Sequence, residues 1–104
     1  MIRPPERVPR MREETHFGRS MRCFADRPAQ LNAMFAQTLS RHAADEALVC
    51  SDRRISYAEL DGIVARVAAG LARDGVRAGD RLAIVCANEP EFVFALLAAF
   101  RLGA

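Results

Sequence analysis

From position 31 onward apolar residues recur at steps of three and four: Leu31, Met34, Phe35 and Leu39, with Thr38 on the same side. That spacing predicts an amphipathic helix over residues 28–42, with Pro28 tolerated in the first turn. His42 falls in the last turn, where a cation complements the helix dipole. Residues 47–51 and 54–56 read as two short strands around a turn at Asp52 and Arg53. Ser56-Tyr57-Ala58-Glu59 is a capping-box pattern: the Ser hydroxyl accepts from the third helical amide while the Glu carboxylate reaches back to the Ser amide. The helix it opens is predicted over residues 57–73, with Leu60, Ile63, Val64, Val67, Ala68 and Leu71 on one face and Gly75 as its left-handed terminator. Its other face carries the small residues Gly62, Ala65, Ala69 and Ala72, leaving room for a second packing partner.

Gly79-Asp80 is a turn signal, and the apolar run from Arg81 to Cys86 predicts a parallel strand buried on both faces. Asn88 is the expected N-cap of a last helix, Pro90 its first turn, and Glu89 and Glu91 place negative charge at the positive end of its dipole. Residues 92–100 are apolar on every side of that helix until Arg101, Leu102 and the terminating Gly103. A helix of this kind belongs inside a larger protein or forms an interface. The chain is therefore expected to be incomplete, with an interaction module that docks through this helix as the alternative.

Residues 1–27 lack such periodicity: they hold seven arginines, four acids and three prolines, and are expected to form a flexible arm. The interspersed acids and the thin aromatic content, Phe17 and Phe24, argue against a nucleic-acid partner. Translation from Met11 or Met21 instead of Met1 would shorten the arm. His16 lies in it without a visible partner, and neither histidine supports a metal site.

The composition, 51% hydrophobic and 27% charged over 104 residues, is that of a globular chain, and its net charge of +2 is too small to direct it to a polyanion. All 15 basic residues are arginine. Cys23, Cys50 and Cys86 are odd in number and show no paired spacing, which excludes a disulfide framework and a tetrahedral zinc motif and fits a reducing cytoplasm. Cys50 and Cys86 are expected to be buried and inert. The longest apolar run, residues 92–100, is half of the ~20 residues a membrane-spanning helix needs. The six glycines match neither dinucleotide-binding nor Walker spacing, and no Ser or Cys has a histidine in a nucleophile's arrangement. No catalytic, cofactor-binding or metal residue is assigned.

Taken in order, however, the motifs resemble the beginning of the adenylate-forming enzymes, the AMP-dependent synthetases and ligases that include acyl-CoA synthetases. Ile55-Ser56-Tyr57-Ala58-Glu59-Leu60 is similar to the family's first core motif, with Ala69-Gly70-Leu71 and Gly75-Val76 after it. Gly79-Asp80-Arg81-Leu82-Ala83-Ile84 resembles its Gly-Asp strand, Asn88 with Glu91-Phe92 its next helix start, and Arg101-Leu102-Gly103-Ala104 the opening of its second core motif. Ser56 for the commoner Thr, Arg53 for a turn Gly, Ala78 for Pro and Glu89 for Ser are mild departures.

The resemblance implies an α/β fold. Residues 28–104 would be a truncated N-terminal part of the ligase domain, with a strand pair, helix, parallel strand and helix following the arm. The roles it implies are structural, for Ser56, Tyr57, Glu59, Leu60, Gly75, Gly79, Asp80, Asn88 and Gly103. In a complete member it implies ATP, Mg2+ and coenzyme A, a small carboxylic acid as substrate, and a downstream region or partner that supplies the phosphate loop, magnesium motif and catalytic lysine. This chain alone is then expected to be inactive.

Overall fold

The structure is a computed structural model that describes residues 8–104. It is α/β, with two separate antiparallel strand pairs and three helices. The strands β1 (Met11–His16) and β2 (Arg19–Phe24) form a hairpin in which Met11 faces Phe24 and His16 faces Arg19. Its two-residue loop, Phe17-Gly18, has positive φ at both positions (52° and 75°), the backbone that matches the right-handed twist of the flanking strands. Residues 11–24, expected to be part of a flexible arm, are thus paired strands; residues 1–7 of that arm lie outside the described residues. The missed signal is physical: the hairpin has no apolar face to alternate with a polar one, and polar side chains occupy both its sides.

The helix α1 (Leu31–His42) starts three residues later than its periodicity predicts and keeps all its side chains at least partly exposed. The pair β3 (Glu46–Cys50) and β4 (Arg53–Ser56) turns through Ser51 and Asp52, one residue earlier than expected, with Ser51 taking the left-handed conformation. The helix α2 (Tyr57–Arg73) follows without a break, and α3 (Pro90–Leu102) closes the described chain. The core is the α2–α3 seam: Leu60, Val64 and Ala68 of α2 meet Phe94 and Ala98 of α3, and Ile55 of β4 covers one end. These α2 positions are the i, i+4, i+8 row of its apolar face, which is why one straight stripe suffices to bury them.

Both helices end in the same way. Val76 N–H donates to Leu71 C=O and Gly75 N–H to Ala72 C=O after α2, while Ala104 N–H donates to Ala99 C=O and Gly103 N–H to Phe100 C=O after α3. Each is a Schellman motif with glycine at the left-handed position, Gly75 at φ 103° and Gly103 at φ 76°.

Residues 81–87 form no strand. They make no ladder: among the described residues their only backbone hydrogen bond joins Glu89 N–H to Ala87 C=O. Leu82 and Ile84 are half-buried, whereas Val85 is fully exposed and Cys86 is exposed too. The expected parallel strand buried on both faces is therefore absent, because a strand exists only by pairing and no described segment pairs with this one. The N-cap of α3 is Glu89, one residue after the expected Asn88, and it caps without a side-chain hydrogen bond.

Candidate functional site

The named motif residues gather at two junctions. At the first, β4 hands the chain to α2. Ser56 N–H donates to Glu59 Oε2 at 2.8 Å, and Glu59 N–H donates to Ser56 Oγ at 3.2 Å, closing the capping box. Tyr57 stacks at a tilt on Phe35, ring centroids 6.2 Å apart, so the first residue of α2 is also its contact with α1. Leu60, only 2% exposed, drives the opposite side of that first turn into the core. Ser56, Tyr57, Glu59 and Leu60 thereby position a helix, and the Glu59 carboxylate is engaged by the Ser56 amide.

The second junction lies between the ends of α2 and α3. Asp80 Oδ2 accepts from Arg77 N–H at 2.7 Å, and Asp80 N–H donates to Arg77 C=O at 3.1 Å, which fixes the turn containing Gly79. Gly79 N–H then donates to Gly103 C=O at 2.8 Å, joining this turn to the end of α3. A Cβ on Gly103 would come within 3.3 Å of the Ala78 Cβ. Asn88 stands apart from both junctions, exposed beside a small groove with Leu48, Val49, Glu89 and Pro90.

Ion pairs brace this frame. Arg53 of β4 reaches Glu91 in the first turn of α3 at 2.9 Å, Arg54 reaches Glu46 at 2.7 Å, and Arg101 of α3 pairs with Asp61 of α2. The Arg53 guanidinium, together with the backbone amide of Glu91 itself, holds the Glu91 carboxyl below its ordinary value. A groove of about 650 Å³ lies over β4 and the first half of α2, with Arg53, Arg54, Arg66, Asp52 and Glu59 around it. It does not fit a nucleotide triphosphate with magnesium: Arg53 and Arg54 are already paired with carboxylates, and no glycine-rich loop opens a helix toward it.

Sequence reasoning left His16 without a partner, and the hairpin provides one. Positions 12, 14 and 16 of β1 and 21 and 23 of β2 share a face, so Glu14, His16 and Cys23 converge with Arg12 beside them and Arg27 reaching over. Arg27, then Arg12, His16 and Cys23, hold the Glu14 carboxyl far below the usual carboxylate range. The same carboxylate, aided by burial, pushes the Cys23 thiol up. Neither relation is visible without the strand register.

Residues 35–104 match the family described as AMP-binding enzyme. The chain belongs to that family. Among curated members, triostin synthetase I of Streptomyces triostinicus is 39% identical over 74 residues, covering 71% of this chain and 14% of the relative. A medium/long-chain-fatty-acid and 3-oxocholest-4-en-26-oate CoA ligase of Mycobacterium marinum is 37% identical over 71 residues, 64% of this chain and 13% of that protein. The 4-coumarate CoA ligase of Vanilla planifolia is 33% identical over 75 residues, 70% of this chain and 14% of the relative. This AMP-binding family chain thus spans about one seventh of the lengths of the curated relatives it matches. Both junctions fall inside the matched segment, whereas the β1–β2 hairpin lies before it.

Proposed function

We propose that this chain is the N-terminal scaffold of an AMP-forming acyl-CoA ligase and is inactive by itself. In the complete enzyme a small carboxylic acid attacks the α-phosphorus of ATP, giving an acyl-adenylate and releasing pyrophosphate. The thiol of coenzyme A then attacks the acyl carbon, losing its proton as the sulfur–carbon bond forms and AMP leaves. Magnesium supplies charge neutralisation on the phosphates. The contribution of this chain is to set the strand pair, α2, α3 and the turns between them. A cytoplasmic location is part of the same proposal, supported by the free thiols of Cys23, Cys50 and Cys86.

The observation that carries this reading is the segment 81–87, largely apolar yet mostly exposed, whose backbone donors and acceptors find no ladder partner in the described residues. Its exposed apolar side chains, Val85 above all at 99% exposure, and its unladdered backbone are what further parallel strands of a ligase domain would cover and pair. The alternative, a module docking through α3, has less support, because α3 already spends Phe94, Ala98 and Ala99 on the core and leaves Phe92 as its one large exposed apolar residue.

The test is ATP–pyrophosphate exchange. The chain alone is expected to show none, and measurable exchange would overturn the scaffold reading. A chimera in which residues 35–104 replace the matching segment of the Mycobacterium marinum ligase is expected to retain exchange. A folded chimera without exchange would count against the assignment to acyl-CoA ligases.

A further inference from the structure

We propose that Glu14, His16 and Cys23 form a divalent-metal site of the zinc type on one face of the β1–β2 hairpin. One ligand atom from each of the three residues lies within 4.8 Å of the other two. Bonds of about 2.0–2.1 Å to nitrogen and oxygen and about 2.3 Å to sulfur, held at tetrahedral angles, put donor atoms roughly 3.3–3.6 Å apart. Glu14 Oε2 and His16 Nε2 already stand 3.2 Å apart, so one edge of the tetrahedron is preformed. Closing the other two edges takes movement of side chains, Cys23 toward the pair and Arg27 away from it, on a backbone whose register already brings the three residues to one face.

The donor set selects the ion. A thiolate, an imidazole and a carboxylate together suit zinc or cobalt, and they disfavour magnesium and calcium, which take oxygen ligands. Three protein ligands leave the fourth position to water. All three side chains are only partly buried, so an ion can enter from solvent without local unfolding.

Two arginines weigh against a cation here, and the geometry shows how they are accommodated. Arg12 donates through both Nε and Nη2 to Oε1 of Glu14, leaving Oε2 as the oxygen turned to His16. Arg27 occupies Oε2 at 2.6 Å, but it also donates to the Phe24 carbonyl, and its side chain is 40% exposed. It can swing off Oε2 while keeping its backbone partner. Arg12 then orients the ligating carboxylate from behind. The hairpin otherwise packs little against the helices, so an ion bridging β1 and β2 would stabilise a unit that is marginal alone.

The experiment uses the full chain with Cys50→Ser and Cys86→Ser, which removes the thiols outside the hairpin. Titration with Co2+ is expected to give thiolate-to-cobalt absorption at one equivalent, displaced by Zn2+. Cys23→Ser in that background is expected to abolish the absorption, and His16→Gln and Glu14→Gln to weaken Zn2+ binding at least about tenfold. Absence of the absorption overturns the proposal, as does its survival in Cys23→Ser or unchanged affinity in both other variants. Circular dichroism of each variant separates a lost ligand from a lost fold.

Discussion

Arg53 and Glu91 meet at 2.9 Å across 38 positions of sequence, pinning the start of β4 to the first turn of α3. The Glu91 carboxyl is held below its ordinary value, first by Arg53 and then by its own backbone amide. A carboxyl with a lowered folded-state pKa contributes stability that is present above its unfolded pKa and is lost as pH falls through the folded value. Chemical denaturation of wild type and Glu91→Gln is therefore expected to show a small gap at pH 7 that closes below about pH 4. A gap that persists in acid would remove the ion pair as its cause.

Removing one side of the capping box tests the first junction. Ser56→Ala is expected to cost about 1 kcal/mol, and Ser56→Thr to retain most of the cap. Urea midpoints at constant slope measure both.

Leu60, 2% exposed in the α2–α3 seam, is the position where truncation should be felt most. Leu60→Ala is expected to lose about 2–5 kcal/mol, a large share of what a chain this small can hold. The expected observable is loss of the cooperative transition, while Val49→Ala, at a site 54% exposed, leaves it nearly unchanged.

Two glycines should respond with opposite signs. Gly70 lies in α2 with open space where a Cβ would stand, so Gly70→Ala is expected to stabilise by about 0.5–1 kcal/mol. Gly103 has φ 76° and only 3.3 Å to the Ala78 Cβ, so Gly103→Ala is expected to destabilise. Thermal midpoints of the two variants decide the signs.

The hairpin should open independently of the helical core. With a chelator present, amide hydrogen exchange is expected to be fast in β1 and β2 and slow in the middle of α2. Equal protection in both would show that the hairpin is held by the helices after all.

Local relations were readable from the chain. The box of Ser56 and Glu59, the span of α2, the apolar row of Leu60, Val64 and Ala68, and the glycine endings at Gly75 and Gly103 all depend on neighbours within a few positions. Hydrogen bonds and side-chain periodicity at that range are properties of the segment itself. The serial order of these motifs also carried the family resemblance, which the match over residues 35–104 bears out.

What only the tertiary structure decided are the relations that require two distant segments to be placed. Arg53 finds Glu91, Gly79 finds Gly103, and the residues 81–86 that read as a strand stay unpaired because pairing depends on a neighbour, not on the run itself. The cluster of Glu14, His16 and Cys23 belongs to the same class. Sequence separates Cys23 from Glu14 by a turn, and the antiparallel register alone brings their side chains to one face.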